Sequence, residues 1–78
     1  MIIKVLGSGC PSCKRLHENV KEAVIMEGGN IEVKYVSDLQ EIMASGVMSM
    51  PALVINDKVI SMGRIVTPSE IVEMIKKS

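Results

Sequence analysis

The sequence GSGCPSC, at residues 7–13, follows a short apolar run and precedes a stretch with helical periodicity. Its two cysteines, Cys10 and Cys13, are the only cysteines among the 78 residues of the chain. A bond between them would close a very small loop, and such a loop adds little stability by restricting the unfolded chain. Their spacing therefore indicates chemistry at the two sulfur atoms rather than a covalent staple.

The position of the two cysteines at the start of a helix explains how they could react. Pro11 favours the first helical position, where its missing N–H group is not needed. Cys10 then lies where unpaired backbone N–H groups and the positive end of the helix dipole stabilise a thiolate. We expect the pKa of Cys10 to fall below the free value of about 8.5, helped by the charges of Lys14 and Arg15. One helical turn also brings Cys13 within disulfide reach of Cys10.

The two cysteines should differ in exposure and therefore in role. Cys10, at the junction of loop and helix, should be the accessible nucleophile that attacks a substrate disulfide and forms a mixed disulfide. Cys13, on the core face of the helix, should then attack Cys10 and release the reduced substrate. The alternative is half of a structural zinc site. A structural zinc ion takes four ligands, whereas the cysteines and histidines of this chain offer three: Cys10, Cys13 and His17.

His17 has two interpretations that the sequence leaves open. It lies about 10.5 Å along the helix axis from Cys10, too far to act on that thiol directly. It could touch Cys13, because helical side chains lean toward the N-terminus. It either accepts the proton of the resolving thiol or is a half-buried residue with an ordinary hydrogen bond, the commoner role of a lone histidine on an apolar face.

Hydrophobic periodicity and capping signals predict the order strand, helix, strand, helix, strand, strand, helix. The predicted strands are 2–6, 31–35, 52–55 and 58–62, with an Asn56-Asp57 turn between the last two. The first predicted helix runs from Cys10 to Gly28 and has Cys13, Leu16, Val20 and Val24 on its core face, and the second covers 37–45 and is capped by Ser37 and Gln40. The third runs from Thr67 through Pro68 and Glu70 to the C-terminus and buries Ile71, Val72 and Ile75. The first two strands should be parallel, with a right-handed crossover, and the last two antiparallel. We expect one α/β domain, residues 1–78. It has a four-stranded mixed sheet, with strand 31–35 at its edge and helices on both faces.

Composition excludes several classes of partner. Nine basic residues balance nine acidic ones, which argues against nucleic acid or an anionic membrane bound by bulk charge. No apolar run approaches the roughly 18 residues of a membrane span. The N-terminus lacks the pattern of a signal peptide, so we expect a cytoplasmic protein.

The chain has one aromatic residue, Tyr35, and seven methionines. We interpret the methionines as core fillers that replace phenylalanine, with a methionine-based soft-metal site as the alternative.

Three motifs in order make the chain resemble the thioredoxin-like family, and most of all its small archaeal and bacterial thioredoxin or glutaredoxin-like redox-active disulfide proteins. They are GSGCPSC at 7–13, GVMSMPAL at 46–53 and Met62-Gly63 before the last helix. The resemblance covers essentially the whole chain. It implies a thioredoxin-like fold and a thiol–disulfide oxidoreductase.

The resemblance also implies a substrate-binding set around the dithiol. Position alone favours a trans bond at Met50–Pro51. The family pattern instead implies a cis bond with Pro51 against the two cysteines, Met50 pairing backbone-to-backbone with substrate, and Gly63 lining the same groove. With Pro11 and Ser12 between the cysteines, these residues form the expected substrate-binding site.

The chain also departs from the family in three places. Gly9 stands where thioredoxins carry an aromatic residue, and Lys4 stands where they carry a buried acid on the first strand. Residues 63–66, Gly-Arg-Ile-Val, replace the pattern with which glutaredoxins bind glutathione. We therefore expect little use of glutathione.

These observations favour a cytoplasmic reductase of protein disulfides that works through Cys10 and Cys13. It should need no cofactor, act as a monomer, and be recharged by an electron donor of the thioredoxin-reductase type. Two other functions stay open: a carrier of soft metal ions between the two thiolates, with Met48 or Met50, and a redox-sensing interaction protein. The Met50-Pro51 motif favours the reductase, since a metal carrier has no need for it.

Overall fold

The computed structural model describes residues 1–77 and contains all seven predicted elements in the predicted order. They are β1 (Ile2–Leu6), α1 (Pro11–Glu27), β2 (Glu32–Val36), α2 (Leu39–Ala44), β3 (Ala52–Ile55), β4 (Lys58–Met62) and α3 (Pro68–Lys77). Ser78, the end of the predicted last helix, lies outside the described residues. No helix among residues 1–77 is both long enough and apolar enough to cross a membrane.

The four strands form one mixed sheet in the order β2-β1-β3-β4. β1 pairs in parallel with β2, while β3 is antiparallel to both β1 and β4. All four residues of β3 are buried, because this central strand is covered on both faces. The sheet confirms the predicted α/β class, the parallel first pair, the antiparallel last pair and the edge position of β2.

Helices cover both faces of the sheet, as predicted. The larger core lies between the sheet and the helices α1 and α3, and its buried members are Ile3, Val5, Leu16, Val20, Ala23, Leu53, Ile55, Val66, Ile71 and Ile75. The smaller core lies on the other face, under α2, and contains Leu6, Ile42, Val47, Ala52 and Val54. Val24 and Val72, predicted as core residues, are partly buried against the larger core. Neighbouring residues of β3 belong to different cores, because side chains alternate along a strand.

The interpretation of the methionines as core fillers is wrong. Six of the seven are exposed, and Met74 alone is partly buried against the larger core. Compact branched side chains fill the thin interior of this small sheet instead. The flexible methionines remain at the surface, where their adaptability suits irregular contacts.

Helix α1 begins and ends where the sequence predicts. Pro11 is its first residue, and Cys10 is its N-cap, with extended backbone angles. The Cys10 side chain accepts a hydrogen bond from the Cys13 N–H, as N-cap side chains commonly do. At the other end, Gly28 adopts a left-handed conformation and its N–H bonds to the Val24 carbonyl.

The caps of the other two helices give one correction and one confirmation. The N-cap of α2 is Asp38, whose carboxylate accepts from the Gln40 N–H at 3.0 Å, so the prediction of Ser37 is wrong by one residue. Aspartate and serine are equally good N-caps, and local sequence could not choose between neighbours. The capping box of α3 is confirmed: the Glu70 N–H donates to Thr67 Oγ1 at 3.3 Å, and the Thr67 N–H donates to Glu70 Oε1 at 3.4 Å.

Candidate active site

The register of the sheet gathers the predicted site residues at one end. β1 ends at Leu6, which pairs with Ala52, and Ala52 pairs with Met62. The same end of the sheet therefore brings together the loop that leads to Cys10, the residue before β3 and the residue after β4. The Gly63 N–H also donates to the Pro51 carbonyl at 2.8 Å. The Met50–Pro51 bond is cis, which confirms that expectation.

Gly63, at this end of the sheet, has a φ of 73°, a backbone conformation that residues with a side chain rarely adopt. A Cβ there would also come within 3.1 Å of the Ser49 Cβ. Both facts favour glycine at this position. Of the other expected substrate contacts, Pro11, Ser12 and Met50 are exposed, while Pro51 is buried.

The two cysteines differ in exposure as predicted. Cys10 is partly exposed, whereas Cys13 is completely buried in the side of α1 that faces the sheet. The Cys13 N–H donates to Cys10 Sγ at 3.3 Å. One sulfur is therefore available to a partner molecule, and the other is shielded one helical turn away.

Hydrogen bonds at the start of α1 hold the pKa of Cys10 below its usual value. The largest cause is a side-chain hydrogen bond from Cys13, followed by the backbone N–H of Cys13 and that of Ser12. The prediction of a lowered pKa from the helix start is confirmed in direction. Donors aimed at the sulfur are larger causes than the charges of Lys14 and Arg15, on which the sequence argument also relied.

Tyr35, near the end of β2, is a site residue that the sequence analysis missed. Its hydroxyl accepts a hydrogen bond from the N–H of Gly9, the residue before the exposed cysteine, at 2.9 Å. Burial raises the pKa of Tyr35, and interactions with Cys13 and Cys10 raise it further. The signal in the sequence was the position of the one aromatic residue at the end of an edge strand parallel to β1.

His17 lies beside this tyrosine. The two ring centroids are 4.9 Å apart and the rings are tilted by 44°. Burial and the charge of Lys21 lower the pKa of His17, which favours the neutral imidazole. The structure thus places His17 as a packing partner of Tyr35, a contact that neither interpretation from the sequence included.

Lys4, which replaces the family's buried acid, points away from the dithiol. Its ammonium lies 3.8 Å from the carboxylate of Asp57, in the turn at the opposite end of the β3–β4 hairpin. The Lys4 side chain is 37% exposed, so this residue brings no buried charge toward the sulfurs. Among residues 1–77, no three His, Cys, Asp or Glu side chains form a group that could hold a metal ion.

Comparison with known proteins agrees with this geometry. Residues 1–76 match the model of the thioredoxin domain family. The chain belongs to this family. It is 37% identical over 76 residues to a thioredoxin of Methanocaldococcus jannaschii, and this alignment covers 97% of this chain and 87% of the relative. It is 31% identical over 71 residues to a thioredoxin of Methanothermobacter thermautotrophicus, and this alignment covers 91% of this chain and 92% of the relative.

Solved structures share the thioredoxin fold at lower identity. One is a malaria-parasite thioredoxin-2, described as a component of that parasite's protein secretion machinery. Its superposition on this chain has a TM-score of 0.79 at 17% identity and covers 99% of this chain and 82% of the parasite chain. A second malarial protein superposes with a TM-score of 0.70 at 20% identity, over 97% of this chain and 93% of the malarial chain. The chain has a thioredoxin fold and is a thiol–disulfide oxidoreductase with its two cysteines in a CXXC motif.

Proposed function

We propose that the protein reduces disulfide bonds of other proteins, with Cys10 as the attacking cysteine and Cys13 as the resolving cysteine. The observation that carries this assignment is the contrast between a partly exposed Cys10, whose pKa is lowered, and a fully buried Cys13 one turn further along the helix. A thiolate is the reactive form of cysteine, and only an accessible one can reach a disulfide in another protein.

The reaction consists of two exchanges that together transfer two electrons to the substrate. The Cys10 thiolate attacks one substrate sulfur, a mixed disulfide forms, and the other substrate sulfur leaves as a thiolate. The Cys13 thiolate then attacks Cys10 Sγ, the mixed disulfide breaks, and the second substrate sulfur leaves as a thiolate. The protein ends with a Cys10–Cys13 disulfide, and two protons from solvent complete the substrate dithiol.

The substrate would bind where this end of the sheet meets the start of α1. In support of this, Pro11, Ser12, Met50 and Gly63 are exposed, and Pro51 is buried next to Met50. An extended substrate segment could pair with the backbone of Met50 as an added strand. The strongly exposed Met48, 91% accessible, would add an adaptable apolar contact.

Trapping of the mixed disulfide tests the roles of the two cysteines. A Cys13→Ser variant mixed with a disulfide-containing protein such as insulin should accumulate a covalent complex through Cys10. A Cys10→Ser variant should accumulate none, and wild type should pass through the complex and reduce insulin in the presence of dithiothreitol. Trapping through Cys13 instead of Cys10 would show that the roles are reversed.

We further propose an electron donor of the thioredoxin-reductase type, a monomeric state and a cytoplasmic location. Residues 63–66 lack the glutathione-binding pattern, which supports a donor other than glutathione. Recycling of the oxidised protein should be rapid with a thioredoxin reductase and slow with glutathione and glutathione reductase. Fast turnover with glutathione would contradict this choice of donor while leaving the roles of the cysteines intact.

A further inference from the structure

The hydroxyl of Tyr35 lies beside the loop that leads to Cys10, and both it and the buried Cys13 sulfur are neighbours of Gly7. It accepts a hydrogen bond from the Gly9 N–H at 2.9 Å. A phenol has one proton to donate, and an acceptor role toward Gly9 leaves that proton free for another group. The Cys13 sulfur lies in the same neighbourhood, since a Cβ built on Gly7 would lie 2.5 Å from Cys13 Sγ and 3.2 Å from Tyr35 Oη.

The tyrosine ring is held in this position from two sides. Tyr35 pairs in register with Val5 of β1, and its ring is partly buried against the larger core. The His17 ring packs on it with a centroid distance of 4.9 Å. A phenol held in this way can present its proton to a sulfur without a large cost in side-chain entropy.

We propose that Tyr35 is a positioning residue for the second exchange, in which its hydroxyl donates a hydrogen bond to the Cys13 sulfur as this sulfur becomes a thiolate. The proposal rests on the proposed role of Cys13 as the resolving cysteine. The Cys13 proton passes to solvent, and the thiolate then forms its bond to Cys10 Sγ while the bond between Cys10 and the substrate breaks. Tyr35 keeps its own proton throughout, which fits a phenol whose pKa is raised.

The ionisable groups around this cluster come from few elements. Cys10 and Cys13 lie at the start of α1, and Lys14 and His17 follow one turn later. A surface cavity lined by Gly9, Lys14, His17 and Tyr35 brings solvent to the tyrosine side of the cluster. β1 places the apolar Val5 beside the ring, and the Lys4 ammonium is turned toward Asp57.

The decisive measurement is the pH dependence of the second exchange in a Tyr35→Phe variant, which keeps the ring and loses the hydroxyl. A mixed disulfide between Cys10 and a chromogenic thiol, formed on the intact protein, releases that thiol when Cys13 attacks. Loss of a hydrogen bond to a thiolate leaves less thiolate at neutral pH, and the higher intrinsic reactivity of a less stabilised thiolate offsets about half of that loss. We expect release to be roughly tenfold slower at pH 7 and equal or faster at high pH.

A matched control separates this effect from a loss of packing. Val33→Ala, two residues earlier on the same strand and partly buried against the same core, should destabilise the fold without shifting the pH profile. Either an unchanged profile in Tyr35→Phe or a slowing by the same factor at every pH would overturn the proposal. If Cys13→Ser instead fails to trap substrate, the roles proposed for the cysteines are at fault and not the tyrosine.

A second measurement needs no change at Tyr35. The chain has one tyrosine and no tryptophan, so the ultraviolet titration of phenolate reports Tyr35 alone. In the reduced protein, the phenol should titrate above free tyrosine, and a Cys13→Ala variant should move this midpoint downward. An unchanged midpoint in Cys13→Ala would overturn the proposal even if Tyr35→Phe did not fold.

Discussion

Gly7 lies against Cys13 so closely that a Cβ on Gly7 would stand 2.5 Å from the Cys13 sulfur and 2.7 Å from its Cβ. Gly7 follows the last residue of β1, and Cys13 faces it from the first turn of α1. The absence of a side chain at one residue therefore allows the buried sulfur to pack directly on the sheet.

Gly7→Ala should destabilise the protein by about 1–3 kcal/mol, since the new methyl group would overlap Cys13, which is fully buried and would have to move. Urea unfolding of the reduced protein measures the change. Gly29→Ala is the matched control: its Cβ would meet Ile31 at an ordinary 3.8 Å, so stability should stay within about 1 kcal/mol of wild type. Equal effects of the two substitutions would contradict the close approach of Gly7 and Cys13.

Cys10 should react with iodoacetamide faster than Cys13, and its rate should reach half-maximum at a pH below that of free cysteine. The physical reason is that hydrogen bonds at the helix start lower the pKa of Cys10, so the reactive thiolate persists to lower pH. The largest donor is the Cys13 side chain, so Cys13→Ala should move the half-maximum upward. Rates of alkylation against pH, with the modified residue identified by mass spectrometry, check both statements. A half-maximum at or above that of free cysteine in wild type would refute the argument.

Thr67→Ala should cost about 1 kcal/mol of stability at neutral pH, the usual loss for an N-cap. The Thr67 side chain is also the largest cause that lowers the pKa of Glu70. A carboxyl with a lowered pKa stabilises the fold above its unfolded pKa, and this contribution is lost as the pH falls through its folded pKa. The cost of Thr67→Ala should therefore shrink in acid.

Urea midpoints of Thr67→Ala between neutral and acidic pH provide the measurement. Ser69→Ala, an exposed substitution in the same turn of α3, is the control and should change stability by less than about 0.5 kcal/mol. A cost of Thr67→Ala that does not change with pH would mean that Glu70 gains nothing from the capping box.

Ser61→Ala should leave stability unchanged or raise it by up to about 1 kcal/mol. Ser61 Oγ is buried in β4 and has no hydrogen-bond partner among residues 1–77. Removal of an unsatisfied buried hydroxyl relieves its desolvation cost and leaves no other group unpaired. Thermal or urea unfolding tests this, and a loss of more than about 1 kcal/mol would show that the hydroxyl has a stabilising partner such as a bound water.

Much of this protein follows from local sequence. The turn at Asn56 and Asp57, where both residues have positive φ, the left-handed Gly28 and the Thr67–Glu70 box are signals within a few residues of each other. The position of Cys10 and Cys13 at a helix start is equally local. The assignment of residues 1–78 to one domain stays a prediction.

Other features were decided only when distant segments came together. Tyr35 reaches Gly9 across 26 residues because β2 lies parallel to β1, and no local pattern marks that contact. Gly7 acquires its role only when α1 packs on the sheet, and six of the seven methionines are exposed because branched side chains already fill the thin core. Periodicity and capping depend on short-range geometry, so the sequence by itself determined the elements and the dithiol. The surroundings of the buried sulfur depend on how those elements pack, and only the tertiary structure decided them.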